Sequence, residues 1–192
     1  MAGWLTNGVP SINISTGAET LPLDTNTAGG VAPQDVSVTI QRLAKMLSFY
    51  GNTLDKTMVA STRYYTSVNL AYPNTYTGIS VLVGSTGGTD LWIVDLFSPT
   101  GIHLANSTLS GTTAGTAATW QQIAFTATYT ATVSGIYFLS LVSNGTTAKM
   151  GSLNAPTSPD LTGSAAGTFG TNASITPPTA YTANVGPMAL LY

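Results

Sequence analysis

The chain has no cysteine, a single histidine and very little charge. Of its 192 residues only 6% are Asp, Glu, Lys or Arg, where about 25% is usual for a globular domain. Each shortage removes a class of function. Without cysteine there is no thiolate zinc site, no disulfide framework and no thiol nucleophile. Lys and Arg together number 5, too few to neutralise a run of phosphates, so no nucleic-acid partner is expected. No apolar run approaches the ~18 residues of a membrane-spanning helix, and no membrane partner is expected. Met1-Ala2-Gly3-Trp4 carries neither a basic nor an apolar leader region, so no secretory signal is expected.

What is present is a chain rich in Thr, Ala, Gly and Ser, 43% hydrophobic and of net charge −2. Disordered chains combine low hydrophobicity with high net charge, and this one has neither. Branched threonine favours strands. The composition therefore reads as all-β with long polar loops. A surface this poor in charge lacks the repulsion and hydration that keep free monomers apart. It suits a chain covered by partners.

Four sections follow one another. Residues 1–34 are punctuated by Asn7-Gly8, Pro10, Pro22, Gly29-Gly30 and Pro33 and read as an extended N-terminal arm, with Leu21 and Leu23 as its apolar contacts. Residues 35–57 hold one short amphipathic helix and a linker. Asp35 is its N-cap, Val36, Ile40, Leu43, Leu47 and Tyr50 form its apolar face, and Gly51 is its stop. Residues 58–153 alternate with a period of two, as half-buried antiparallel strands require. The apolar phases are Tyr64/Thr66/Val68/Leu70, Ile79/Val81/Val83, Trp92/Val94/Leu96, Ile123/Phe125 and Tyr137/Leu139/Leu141. Turn clusters separate them, which gives an antiparallel β-sandwich or jelly roll. Asn144-Gly145 predicts a tight hairpin pairing residues 139–143 with 147–153, and Gly84–Thr89 reads as another hairpin loop. Residues 154–192 return to Pro, Gly and Thr and end in a strand. Its apolar end, with Leu190, Leu191 and Tyr192, adds to its own sheet or to a neighbour's.

No catalytic constellation emerges. His103 is the only imidazole, so any Ser-His-Asp arrangement must use it, and no Gly-x-Ser-x-Gly elbow is present. Asp90 and Asp95, five residues apart near one strand, point to opposite faces, and Asp95 is expected to face solvent or an interface. Asp90 and Asp160 lack the Asp-x-Asp spacing of a calcium loop. The reading is non-enzymatic, with no metal and no cofactor. Aromatic side chains can stack on sugar rings, which makes Tyr65, Tyr72 and Tyr76 the candidates for glycan binding, with Tyr65 exposed because it is out of phase with Tyr64.

Three stretches carry a family resemblance: Ala18 to Ala44 (AETLPLDTNTAGGVAPQDVSVTIQRLA), Trp120 to Lys149 (WQQIAFTATYTATVSGIYFLSLVSNGTTAK) and Thr182 to Tyr192 (TANVGPMALLY). Together they resemble virion structural proteins of tailed bacteriophages, which place a jelly-roll-like sandwich behind an extended N-terminal segment. The resemblance covers most of the chain through composition and topology and transfers no site residue. It implies a capsid decoration or cement protein, a homotrimer on the particle surface, made in the host cytoplasm and bound to the major capsid protein or other virion proteins. The arm, the helix and the tail would then bridge subunits. The alternative it allows is a tail or fibre component whose sandwich binds a glycan or receptor.

Overall fold

The alternating stretches form antiparallel strands, and their register decides which side chains meet. The computed structural model describes residues 53–153 and 161–192. The expected arm and helix, and with them Leu21, Leu23, Val36, Ile40, Leu43, Leu47 and Tyr50, lie outside the described residues. Among the described residues every regular element is a strand.

The strands are β1 (Thr53–Thr57), β2 (Thr62–Leu70), β3 (Thr75–Leu82), β4 (Leu91–Phe97), β5 (His103–Asn106), β6 (Thr112–Thr113), β7 (Trp120–Thr130), β8 (Gly135–Ser143), β9 (Lys149–Leu153), β10 (Thr162–Ala166) and β11 (Ala189–Leu191). They make a six-stranded sheet ordered β10-β2-β8-β4-β5, with β6 also on β4, a three-stranded sheet β11-β3-β7, and the pair β1-β9. All pairings are antiparallel.

One apolar core joins all three. Tyr64, Val68 and Leu70 of β2, Trp92, Val94 and Leu96 of β4, and Tyr137, Leu139 and Leu141 of β8 form one side. Ile79 and Val81 of β3, Ile123 and Phe125 of β7, Met150 and Ala189 meet them from the other. The period-two phases are thus the inward positions, and Trp92, Leu96, Leu139 and Leu141 are wholly buried.

The Asn144-Gly145 hairpin does not form. Both edges of β8 are taken, by β2 and by β4, so β9 has no place beside it and pairs with β1 instead. The turn is a crossing between sheets. The Leu91 N–H donates to Asn144 Oδ1 at 2.7 Å, and the N–H groups of Thr147 and Ala148 both donate to Asp90 Oδ2 at 2.7 Å. Gly145 lies so close to the Asp90 carboxylate that a Cβ there would collide with it. Residues 84–89 likewise join β3 to β4 in different sheets, not as a hairpin.

The C-terminal run adds to the chain's own sheet. β11 pairs with β3, the Leu82 N–H donates to the Met188 carbonyl, and the Leu153 N–H donates to the Gly186 carbonyl. Leu190 packs with Leu153 and Met188, Leu191 on the main core, and the Tyr192 carbonyl accepts from the Thr77 N–H at 2.7 Å. Leu190, Leu191 and Tyr192, expected at a subunit interface, thus lie in or beside a strand of the chain's own sheet and are part-buried there.

Candidate functional site

The outer face of the six-stranded sheet brings together an arginine, an aspartate, a serine and the histidine. On β2, β4 and β8 the residues between the core positions are Arg63 and Tyr65, Asp95 and Phe97, and Phe138 and Ser140, and every one is buried. Leu161 and residues 167–178, on either side of β10, lie over them. Leu161 and Ile175 pack on Tyr65, Phe97 and Phe138. The Arg63 Nη2 donates to the Thr171 carbonyl at 3.0 Å, with a longer Nη1 contact to Ala173 at 3.5 Å. Where the segment passes the β4–β5 turn, Gly101 has φ +84 and no room for a Cβ beneath the Ile175 carbonyl, so only glycine fits both demands.

Asp95 is the centre of this layer and is completely buried. Its Oδ2 lies 3.6 Å from Arg63 Nη2 and accepts from Ser140 Oγ at 2.9 Å. Its Oδ1 lies 3.4 Å from His103 Nε2, a close approach without hydrogen-bond geometry. Arg63 also sits 5.8 Å from the Phe97 ring centroid, and His103 meets that ring edge-on. A carboxylate this deep costs several kcal/mol to desolvate unless it is paired, and Arg63 and Ser140 supply the pairing. Burial holds the Tyr65 phenol above its usual range, with Asp95 adding to the effect and Arg63 opposing it.

The layer unites a serine, the histidine and an aspartate, but in an order unsuited to acyl transfer. The serine donates to the aspartate and not to the imidazole, so His103 is not placed to take its proton. Through Arg63 the layer ties residues 171–173 to the sheet. Asp95, expected at solvent or an interface, is instead buried among Arg63, Ser140 and His103. Arg63 and Ser140 were missed as its partners; their sequence signal is a polar out-of-phase position on a strand flanked by apolar ones.

A second cluster lies in an open groove of about 300 Å³ lined by Asp55, Leu82, Val83, Gly84, Ser85, Ala118 and Gly151. Lys149 Nζ donates to Ser85 Oγ at 3.2 Å and faces Asp55 Oδ2 at 3.5 Å, while the Ser85 N–H donates to Asp55 Oδ1 at 2.8 Å. Burial pushes the Asp55 carboxyl up, but the hydrogen bonds from Ser85 and Lys149 outweigh it and hold the group below its ordinary value. A Ser-Lys nucleophile needs the amine as acceptor; here Lys149 is the cation of an ion pair and donates. Asp90 serves as the turn fastener described above. Among the described residues no group of three His, Cys, Asp or Glu stands ready to hold a metal.

The three tyrosines are not brought together as a platform. Tyr65 is buried between the sheet and residues 161–178, and Tyr76 is buried with its oxygen accepting from the Ala71 N–H at 3.1 Å. Tyr72 alone is exposed, beside residue 134, whose hydroxyl its N–H meets at 2.9 Å.

The surface is what remains. The charged side chains among the described residues are Asp55, Lys56, Arg63, Asp90, Asp95 and Lys149. Arg63, Asp90 and Asp95 are buried, leaving Asp55, Lys56 and Lys149 together on the β1–β9 pair. Elsewhere the described exterior is uncharged, and Tyr72, Ile102, Trp120 and Val133 stand out from it. No protein-family model, no curated protein and no solved structure matches this chain.

Proposed function

We propose that this chain is a non-enzymatic structural protein of a tailed-bacteriophage virion, a decoration protein that stabilises the head by bridging its subunits. The observation that carries the reading is the distribution of charge: half of the few charged side chains described are spent inside, and away from the β1–β9 pair the described exterior is uncharged with bulky apolar groups upon it. Such a surface gains from being covered, at roughly 25 cal/mol per Å² of apolar area removed from water. It also associates with little dependence on salt, since few charges are available to be screened. The fold that goes with the proposal is a sandwich of the jelly-roll kind, supported by the core that all three sheets share. The bridging contacts are assigned to residues 1–34, the helix expected over 36–50 and the tail, whose β11 pairs with β3 along one edge and stands at the end of its sheet.

Particles assembled without this protein provide the test. Purified protein added back should cosediment with heads, and raising the salt should not release it. Failure to bind any particle would overturn the reading. Binding to tails, with capture of a host polysaccharide, would favour the fibre alternative, for which Tyr72 is the surviving contact.

A further inference from the structure

The Asn144-Gly145 pair closes no hairpin, but the fold holds it firmly. Among the described residues the other asparagines precede Leu70, Thr75, Ser107, Ala173 and Val185; Asn144 is the one that precedes glycine. Glycine has no side chain to shield its backbone nitrogen, so the Asn144 carboxamide has an open nucleophile next to it in sequence. The surrounding atoms supply what an attack by that nitrogen needs. The Leu91 N–H donates to Asn144 Oδ1 at 2.7 Å, and the Asn144 N–H donates to the Leu91 carbonyl at 3.1 Å. The carboxamide is thereby fixed and its carbonyl polarised. The Gly145 N–H, which must give up its proton, donates to Ser143 Oγ at 3.1 Å.

We propose that Asn144 is a self-modification site, at which the Gly145 nitrogen, aided by Ser143 and the Leu91 N–H, attacks Asn144 Cγ and turns the side chain into a carboxylate. The nitrogen loses its proton to solvent hydroxide beside Ser143 Oγ and bonds to Cγ. The carbonyl electron pair moves onto Oδ1, where the Leu91 N–H receives it as an oxyanion hole does. Collapse breaks the Cγ–Nδ2 bond, and Nδ2 takes a proton from water and leaves as ammonia. A second water opens the cyclic imide. Cleavage of the new bond to Cγ gives aspartate; cleavage of the original peptide bond gives isoaspartate, with the chain rerouted through the side chain. Nothing is oxidised or reduced, and the sum is one water consumed and one ammonia released. The same turn packs Gly145 against the Asp90 carboxylate, whose Oδ2 takes the N–H groups of Thr147 and Ala148. The product charge therefore arrives beside the group that fastens the crossing between sheets. The reaction uses only this chain and water and is independent of the virion reading.

Incubation of the full chain at mildly alkaline pH, followed by peptide mapping with mass spectrometry, reads the reaction. The peptide that holds Asn144 should gain the mass difference between an amide and an acid, as two isomeric products. It should do so several-fold faster than the peptides that hold Asn69, Asn74, Asn106, Asn172 and Asn184; Asn7-Gly8, outside the described residues, falls on a separate peptide. Asn144→Gln, whose longer side chain closes a larger and slower ring, should stop the conversion. The folded chain should convert at least as fast as the chain unfolded in urea. Ser143→Ala should slow the folded reaction several-fold and leave the reaction in urea unchanged. An Asn144 that stays intact when folded yet converts in urea, or a Ser143→Ala chain that converts as fast as the original or faster, would overturn the proposal.

Discussion

The two faces of the six-stranded sheet are built from the same strands and buried by different physics. Inward, Trp92, Leu96, Leu139 and Leu141 exclude water by apolar area alone. Outward, Arg63, Asp95 and Ser140 are as dry, yet they depend on finding one another. The inner face can lose a methyl group and lose in proportion; the outer face cannot lose one charge without stranding another. The comparison teaches how the described charges are used. Arg63 and Asp95 pair on the outer face and Arg63 ties residues 171–173 to it, Asp90 holds the turn at 144–148, and Asp55, Lys56 and Lys149 lie on the β1–β9 pair.

Substitutions at each face make the contrast measurable by denaturant unfolding. Trp92→Ala, which empties the largest buried side chain, is expected to cost about 3–5 kcal/mol. Asp95→Ala should cost a similar amount, about 3–5 kcal/mol, because Arg63 is left buried and unpaired. The sharper version is the double replacement Arg63→Met with Asp95→Leu, which should recover most of that loss; no apolar repair of Trp92→Ala works through a partner in this way. Ser140→Ala removes a hydrogen bond to a buried charge and should cost about 1.5–3 kcal/mol.

The smallest effect belongs to the exposed pair. Lys149→Met should change stability by no more than about 1 kcal/mol, since Asp55 and Lys149 are each a third exposed and screened. The folded Asp55 carboxyl lies below its ordinary value of 3.8. Its small contribution is therefore present above that value and fades as pH falls through the lower, folded one. Acid titration of unfolding with and without Lys149→Met reads that fading, which the variant should reduce.

Much of the inner face was legible in the sequence and little of the outer. Alternation reveals a phase, and Tyr64, Val68, Val94 and Leu139 lie on the phase that points inward. The rule assumes that the opposite phase meets water. For Tyr65 it meets Leu161 and Ile175, and for Asp95 it meets Arg63 and Ser140 on other strands of the sheet, contacts between positions far apart in the chain that no local pattern announces. Asn144-Gly145 failed as a hairpin for a related reason. Turn chemistry describes four residues, but partner choice is settled by which strand edges are already filled, and β2 and β4 had filled those of β8. The apolar C-terminal strand was legible as a strand needing a sheet; that the sheet is its own follows from the long-range pairing with β3.

Among the described residues, buried charges and an exterior poor in charge support the proposed account, in which assembly on a virion covers the surface. Counting this chain in purified virions by quantitative mass spectrometry tests that claim most directly. A copy number in fixed ratio to the major shell subunit is the predicted result; particles of full composition and stability that contain none of it would contradict the account.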